Sequence, residues 1–398
     1  MPTLITTSEE AHIGLLEGAM EEELYDNLFW ARFLGFTTVA NDGTEIPAAA
    51  PISMKRQFGT EGMTTMKIPK HRRLVQDGVS GGQTLEGTGE RIRVNYQQLL
   101  INQRRKAVDG PDRMSNLRVK KLDLINREKP KLQEWLNEHT EWQITSAIYE
   151  GYNQNVTKAA TSGGLGTTKV QHPNICAVDS GQITWSATAA TYATNIHNTV
   201  SGLTGAAEDK FNFNALYGMA TKMSEFKIKP LMYGGAEFWC MVIHDNQWRQ
   251  LMLDSEYKAA LQNAGPRDLT GNPLFRNMRP ALFAAGFMIF VRRASVYGVS
   301  TAATPTVTWG ATNPLAALDT YDVKGAIAFG NNFLYGGWAF GPHFTVRDYD
   351  HEDKHETGMA IIDGYARDDS PDSTSSPTET VNQTSALLLS YSPASFLG

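Results

Sequence analysis

One stretch, residues 91–152, limits what this 398-residue chain can fold into. It opens as a strand-like run, Arg91-Ile-Arg-Val-Asn-Tyr-Gln-Gln-Leu-Leu-Ile, crosses a basic knot at Arg104-Arg105-Lys106, and turns at Asp109-Gly110-Pro111. It then becomes the longest helical pattern in the chain, from Ser115 to Tyr152. Leu132, Trp135, Leu136, His139, Trp142 and Tyr149 keep helical spacing, and Leu117, Leu122 and Ile125 mark earlier turns. Such a stripe reads as core packing. Pro130 lacks a backbone donor and crowds the preceding turn, which predicts a kink or a break there.

The strand run is the return arm of a long two-stranded excursion over residues 63–101. The outgoing arm lies near 63–75, and the tip is rich in turn formers: Asp77-Gly, Ser80-Gly-Gly and Gly87-Thr-Gly. On the return arm Ile92, Val94 and Tyr96 fall on one face and Arg91, Arg93 and Asn95 on the other. A hairpin alone is marginal in water, and this one has a thin apolar face. It is therefore expected to lie against a surface outside its own subunit, most simply a second copy.

Bulk properties narrow the classes. The length allows two domains. A net charge of −6 and a pI near 5.9 argue against a protein whose main task is neutralising phosphates. Two cysteines, Cys176 and Cys240, are too few for a disulfide framework or a cysteine zinc site and read as buried thiols. No apolar run reaches membrane-spanning length, and residues 1–7 lack the pattern of a signal peptide, so a soluble protein made in a cytoplasm is expected.

Along the rest of the chain, Ile13, Leu16, Met20, Leu24 and Leu28 share one face of an expected acidic helix over 8–30, with a capping-box start at Thr7 and Glu10 and weak points at Gly14 and Gly18. A helix is expected over 212–226, with Phe213, Leu216, Ala220, Met223 and Phe226 on one side. An apolar strand follows at 238–243. Two short helices come next, near 246–253 and 256–264, with Asp245 and Ser255 as N-caps and Gly265 as the stop. A strand at 287–291 completes what reads as a separate α/β subdomain. Strands are expected again at 321–329, 339–348, 359–364 and 386–391, around a Ser/Thr/Pro/Asp surface loop at 368–384.

Three motifs invite a chemical reading. His351-Glu352-Asp-Lys-His355 matches H-E-x-x-H, whose chemistry needs two imidazoles one helical turn apart with a glutamate beside them. Here Ile361 stands where the longer motif has its third ligand, and the flanks are polar and turn-like, so a loop between strands is expected. Ser255-Glu-Tyr-Lys258 matches S-x-x-K without the companion elements of that enzyme class. Gly163-Gly-Leu-Gly-Thr-Thr-Lys169 lacks phosphate-loop spacing. Hence no catalytic, cofactor-binding or metal residue is assigned. The competing function classes are a metal-dependent hydrolase using His351, Glu352 and His355, and a nucleic-acid-binding protein using the basic hairpin. That basic cluster, Lys67, Lys70, Arg72, Arg73, Arg91, Arg93, Arg104 and Arg105, equally suits contact with an acidic neighbour such as Glu9, Glu10, Glu17 and Glu21–Glu23 of another copy.

The order of parts then carries a resemblance. Trp30-Ala-Arg-Phe-Leu-Gly, Glu86-Gly-Thr-Gly-Glu before the return strand, Leu136-Asn-Glu-His-Thr-Glu-Trp, Val242-Ile-His-Asp-Asn-Gln-Trp, Asp254-Ser-Glu-Tyr, Asn272-Pro-Leu-Phe and Phe287-Met-Ile-Phe together are similar to the major capsid proteins of tailed bacteriophages. Their α+β fold is named after phage Hong Kong 97 (HK97-like), and the likeness is narrower still to the N-four-like phages. The resemblance implies an N-terminal arm (1–59), an extended hairpin loop (60–112), a peripheral domain with the spine helix (113–194), an axial domain (195–318), and return strands with a tail (319–398). It implies a non-enzymatic subunit that assembles with itself into hexamers and pentamers of an icosahedral head. Its partners would be scaffolding, portal and decoration proteins and, non-specifically, packaged double-stranded DNA, with no membrane and no cofactor. Its place would be the virion capsid, after assembly in the host cytoplasm.

Overall fold

The computed structural model describes residues 28–36, 38–39, 45–46, 50–56, 65–71, 78–82, 84, 86–87, 89, 94–109, 128–149, 174–179, 182–185, 210–233, 235–264, 282–292, 298–299, 323–349, 354–368 and 384–392. The expected helix over 8–30, save its last residues, the tract at 368–384 and the glycine-rich run at 163–169 lie almost wholly outside them. In chain order the described elements begin with a 3-10 turn, Phe29–Phe33, then β1 (Leu34–Phe36), β2 (Thr38–Val39), β3 (Glu45–Ile46), β4 (Ile52–Arg56), β5 (Thr65–His71), β6 (Val94–Leu100) and β7 (Asn102–Asp109). Helix α1 (Glu128–Tyr149) follows, then β8 (Ile175–Asp179), β9 (Gln182–Trp185), helix α2 (Phe213–Glu225), β10 (Leu231–Tyr233) and β11 (Ala236–His244). Helices α3 (Asp245–Leu253) and α4 (Ser255–Ala264) precede β12 (Leu282–Ala284), β13 (Phe287–Arg292), β14 (Gly298–Val299), β15 (Val323–Phe329), β16 (Leu334–Tyr349), β17 (Lys354–Arg367) and β18 (Ser385–Tyr391).

These strands form a nine-stranded mixed sheet with the path β12-β13-β11-β15-β18-β8-β9, to which β10 and β14 add at β11 and β15. A five-stranded sheet runs β1-β4-β16-β17-β7, and β2-β3 and β5-β6 are separate pairs. Strands buried on both faces read as continuous apolar runs, and Ala386-Leu-Leu-Leu of β18 is such a run at 0–1% exposure. Alternate residues divide between two cores. Met241, Ile243, Ala326, Ala328, Ala386 and Leu388 point to the layer of α2, α3 and α4. Cys240, Val242, Ile327, Phe329, Leu387 and Leu389 point to the 3-10 turn, α1 and the five-stranded sheet.

The expected strand–helix–helix–strand block shares its sheet with strands from later in the chain. β11 pairs with β15 from beyond residue 318, and β15 pairs with β18, so one sheet joins the two stretches. Helix caps also sit one residue earlier than expected. His244 Nδ1 accepts from the Asn246 N–H at 3.1 Å to start α3. Asp254 accepts from Glu256 N–H at 3.2 Å to start α4, and its other oxygen takes the Phe213 N–H at 2.8 Å, fastening α2 beside it. In α1, Pro130 is the third residue described. The turns before Glu128 lie outside the described residues.

Candidate functional site

β5 and β6 form an antiparallel ribbon from Thr65↔Leu100 to His71↔Val94, and among the described residues neither strand pairs with any other. Its tip fits the expected turn chemistry. Gly81 and Gly87 adopt φ of +68° and +86°, where glycine carries no Cβ penalty, and nothing stands within 4 Å of where a Cβ would be. The described tip residues are exposed except Val79, which is partly so.

The root of the ribbon is tied down. β6 runs into β7 with a single break at Ile101, and Ile101 and the preceding Leu99 are both buried. β7 then joins the edge of the five-stranded sheet by pairing with β17. Arg104 points inward. Its Nε donates to Asp363 Oδ1 at 2.8 Å, Nη2 donates to Asp363 Oδ2, and Nη1 lies 3.3 Å from His139 Nδ1 on α1. Burial and, after it, the Arg104 charge hold the His139 ring below its usual pKa range. Lys106 reaches over the Trp135 ring at 5.1 Å, so α1 is fixed on β7 by a polar cluster as well as by its buried Leu132 and Leu136.

A second knot joins the layers. The fully buried Trp30 donates from Nε1 to Thr145 Oγ1 at 2.9 Å, and Arg292 of β13 donates to the same oxygen at 3.1 Å. Arg292 also pairs with Glu141 and stacks over the rings of Phe29 and Trp30 at 4.8 and 5.5 Å. Burial pushes the Glu141 carboxyl up, against the pull of Arg292 and of the Phe29 and Trp30 N–H groups. Spacing alone gave no sign of this knot; Arg292 and Thr145 are 147 residues apart, and Trp30 lies 115 residues before Thr145.

The expected contact residues separate. Lys67 and Lys70 lie on β5, opposite Gln98 and Asn95. Arg72, Arg73, Arg91 and Arg93 lie outside the described residues. Arg105 is exposed on β7, whereas Arg104 is buried with its guanidinium engaged by Asp363 inside the subunit.

The enzymatic motifs lose their context. Tyr349 pairs with Lys354, so residues 350–353 connect two strands, and His355 faces Asp348 across a ladder. His355 stands on a strand and not on the helix that H-E-x-x-H requires, while His351 and Glu352 lie outside the described residues. Ser255 is the first residue of α4. Among the described residues no three His, Cys, Asp or Glu side chains gather as a metal site, and no helix is long and apolar enough to cross a membrane.

A family profile described as phage capsid protein matches residues 26–370. The chain belongs to the phage capsid protein family. The role of this capsid protein is structural, that of a major capsid protein of an icosahedral bacteriophage head, and not enzymatic. Its α+β architecture is HK97-like. It is similar to the capsid of Ralstonia phage GP4, at a TM-score of 0.60 and 14% identity over 91% of this chain and 90% of that one. The cyanophage Pam1 capsid matches at 0.60 and 14% over 92% of both chains. The acid-stable capsid of Helicobacter pylori bacteriophage KHP30 matches at 0.57 and 11%, again over 92% of both. No curated protein matches the capsid chain in sequence.

Proposed function

We propose that this capsid protein assembles into hexamers and pentamers, each subunit laying its β5–β6 ribbon over the next. The observation that carries the reading is the ribbon itself, a two-stranded element whose tip stands in open space while its root is clamped. A closed ring repeats one contact between different surfaces, and many modest contacts per subunit multiply into a stable shell. Lys67, Lys70, Arg72, Arg73, Arg91, Arg93 and Arg105 are the cationic side of that contact, and the acidic segment around Glu9, Glu10, Glu17 and Glu21–Glu23 suits its other side.

In this reading residues 1–59 are the arm and 60–112 the extended loop. Residues 195–318 face the centre of the ring, and 113–194 with 319–398 lie at its periphery. Scaffolding, portal and decoration proteins are the further partners, assembly takes place in the host cytoplasm, and an acidic chain holds packaged double-stranded DNA only loosely. Replacing residues 66–98 by a short Gly-Ser linker tests the reading. The variant should keep the melting temperature of the parent chain yet close no shells by light scattering and negative-stain microscopy. Normal particles from it would reject the ribbon's role.

A further inference from the structure

Arginine donates and never accepts, so the contact between Arg104 Nη1 and His139 Nδ1 at 3.3 Å is a hydrogen bond only when that ring nitrogen offers its lone pair. A proton arriving at the ring lands on that lone pair. It replaces an acceptor by a second donor and sets two cations side by side. The charges around the ring do not balance it. From β7 it meets Arg104 and Lys106, and from β17 it meets Asp363, already held by the Arg104 fork. On its own helix Glu138 is exposed, and Lys131 and Glu134 pair with each other at 2.5 Å.

The cluster lies three residues past Ile101, the break between ribbon and sheet, and on helix α1 packed over β7. We propose that His139 is a proton-sensitive pin of the ribbon hinge: the neutral ring fastens β7 under α1, and the protonated ring releases it and lets the ribbon swing. The inference rests on contacts within one subunit and stands whether or not the ribbon covers a neighbour.

The sign follows from burial and from the Arg104 charge, which both hold the folded ring's pKa below the ordinary 6.5. Above 6.5 the ring is neutral in the folded and open states, and the clamp is intact. As pH falls below 6.5 the open state takes the proton first and is increasingly favoured, until the clamped ring is protonated too.

Amide hydrogen exchange on the purified full chain, corrected for intrinsic rates, tests this between about pH 7.5 and about pH 5. Peptides covering 94–109 should lose protection several-fold in acid while 236–244 and 385–391 keep theirs, and His139→Gln should abolish that loss. A loss of the same size in His139→Gln, or none in the parent chain, overturns the proposal. Should His139→Gln fail to fold, the imidazole C2 proton of the native ring supplies the reading. A titration midpoint below 6.5 that moves with exchange at 94–109 supports the pin; a midpoint at or above 6.5 overturns it.

Discussion

Arg104 and Arg105 are neighbours in sequence and opposites in environment. The strand period of two sends one under α1 and the other to the surface. Read as a basic triplet with Lys106, they look alike, because the parity of β7 depends on its register with β17, where Arg104 faces Ile361 and Arg105 faces Ala360. No residue in 102–109 announces which face is covered. The pairing partner, Asp363, stands 259 positions away. Arg104→Ala should therefore be severe. It strands a carboxylate that is fully buried, a loss of about 3–5 kcal/mol, read as a lower midpoint in urea unfolding. Arg105→Ala should leave that midpoint unchanged while weakening shell formation. Equal effects from the two would contradict the burial pattern. At this scale the chemistry was partly legible. Cys176 and Cys240 read as buried thiols, and both are, with burial pushing each up to about 12.

Elements were legible where their own pattern decides them. The strands at 238–243, 287–291 and 386–391 announced themselves as apolar runs, and the buried face of α2 follows its spacing through Leu216, Met223 and Phe226. The hairpin between β12 and β13 did not. Its turn is Ala285-Gly286 at φ of +50° and +81°, a geometry in which Asn or Asp would have been the signal and alanine gives none. The turn Phe29–Phe33 hides for another reason: five residues are too few for a period, and its importance comes from what lies on it. Phe33 meets Phe290 and Phe329 edge-on at 4.9 and 5.2 Å, and Trp30 fills the space above Thr145. Trp30→Ala opens a cavity between the layers and should cost about 3–5 kcal/mol, measured by chemical denaturation. Trp30→Phe keeps the ring packing, loses the bond to Thr145, and should cost clearly less.

For the molecule as a whole, the α+β class was legible in the sequence, and the structure adds one sheet shared by strands on both sides of residue 318. Residues 195–318 read as a self-contained subdomain because helices and strands alternate within them. Their strands nevertheless complete a sheet with β15, β18 and β8, whose register no local pattern encodes. Expressed alone, residues 195–318 expose the edge of β11 and the faces of Met241, Ile243, Cys240 and Val242 that pack on later strands. The fragment should then lack a cooperative thermal transition and be cut rapidly by trypsin, whereas the full chain resists. A fragment melting sharply would mean that the two stretches are energetically separate after all.

The position of β18 has one more consequence. It lies between β15 and β8, so residues 385–391 join halves of a sheet whose other strands were all synthesised earlier. While the ribosome is still short of that segment, the nascent polypeptide leaves β15 and β8 without the strand that joins them. A polypeptide cut before residue 385 should accordingly show no cooperative melting and join no particle.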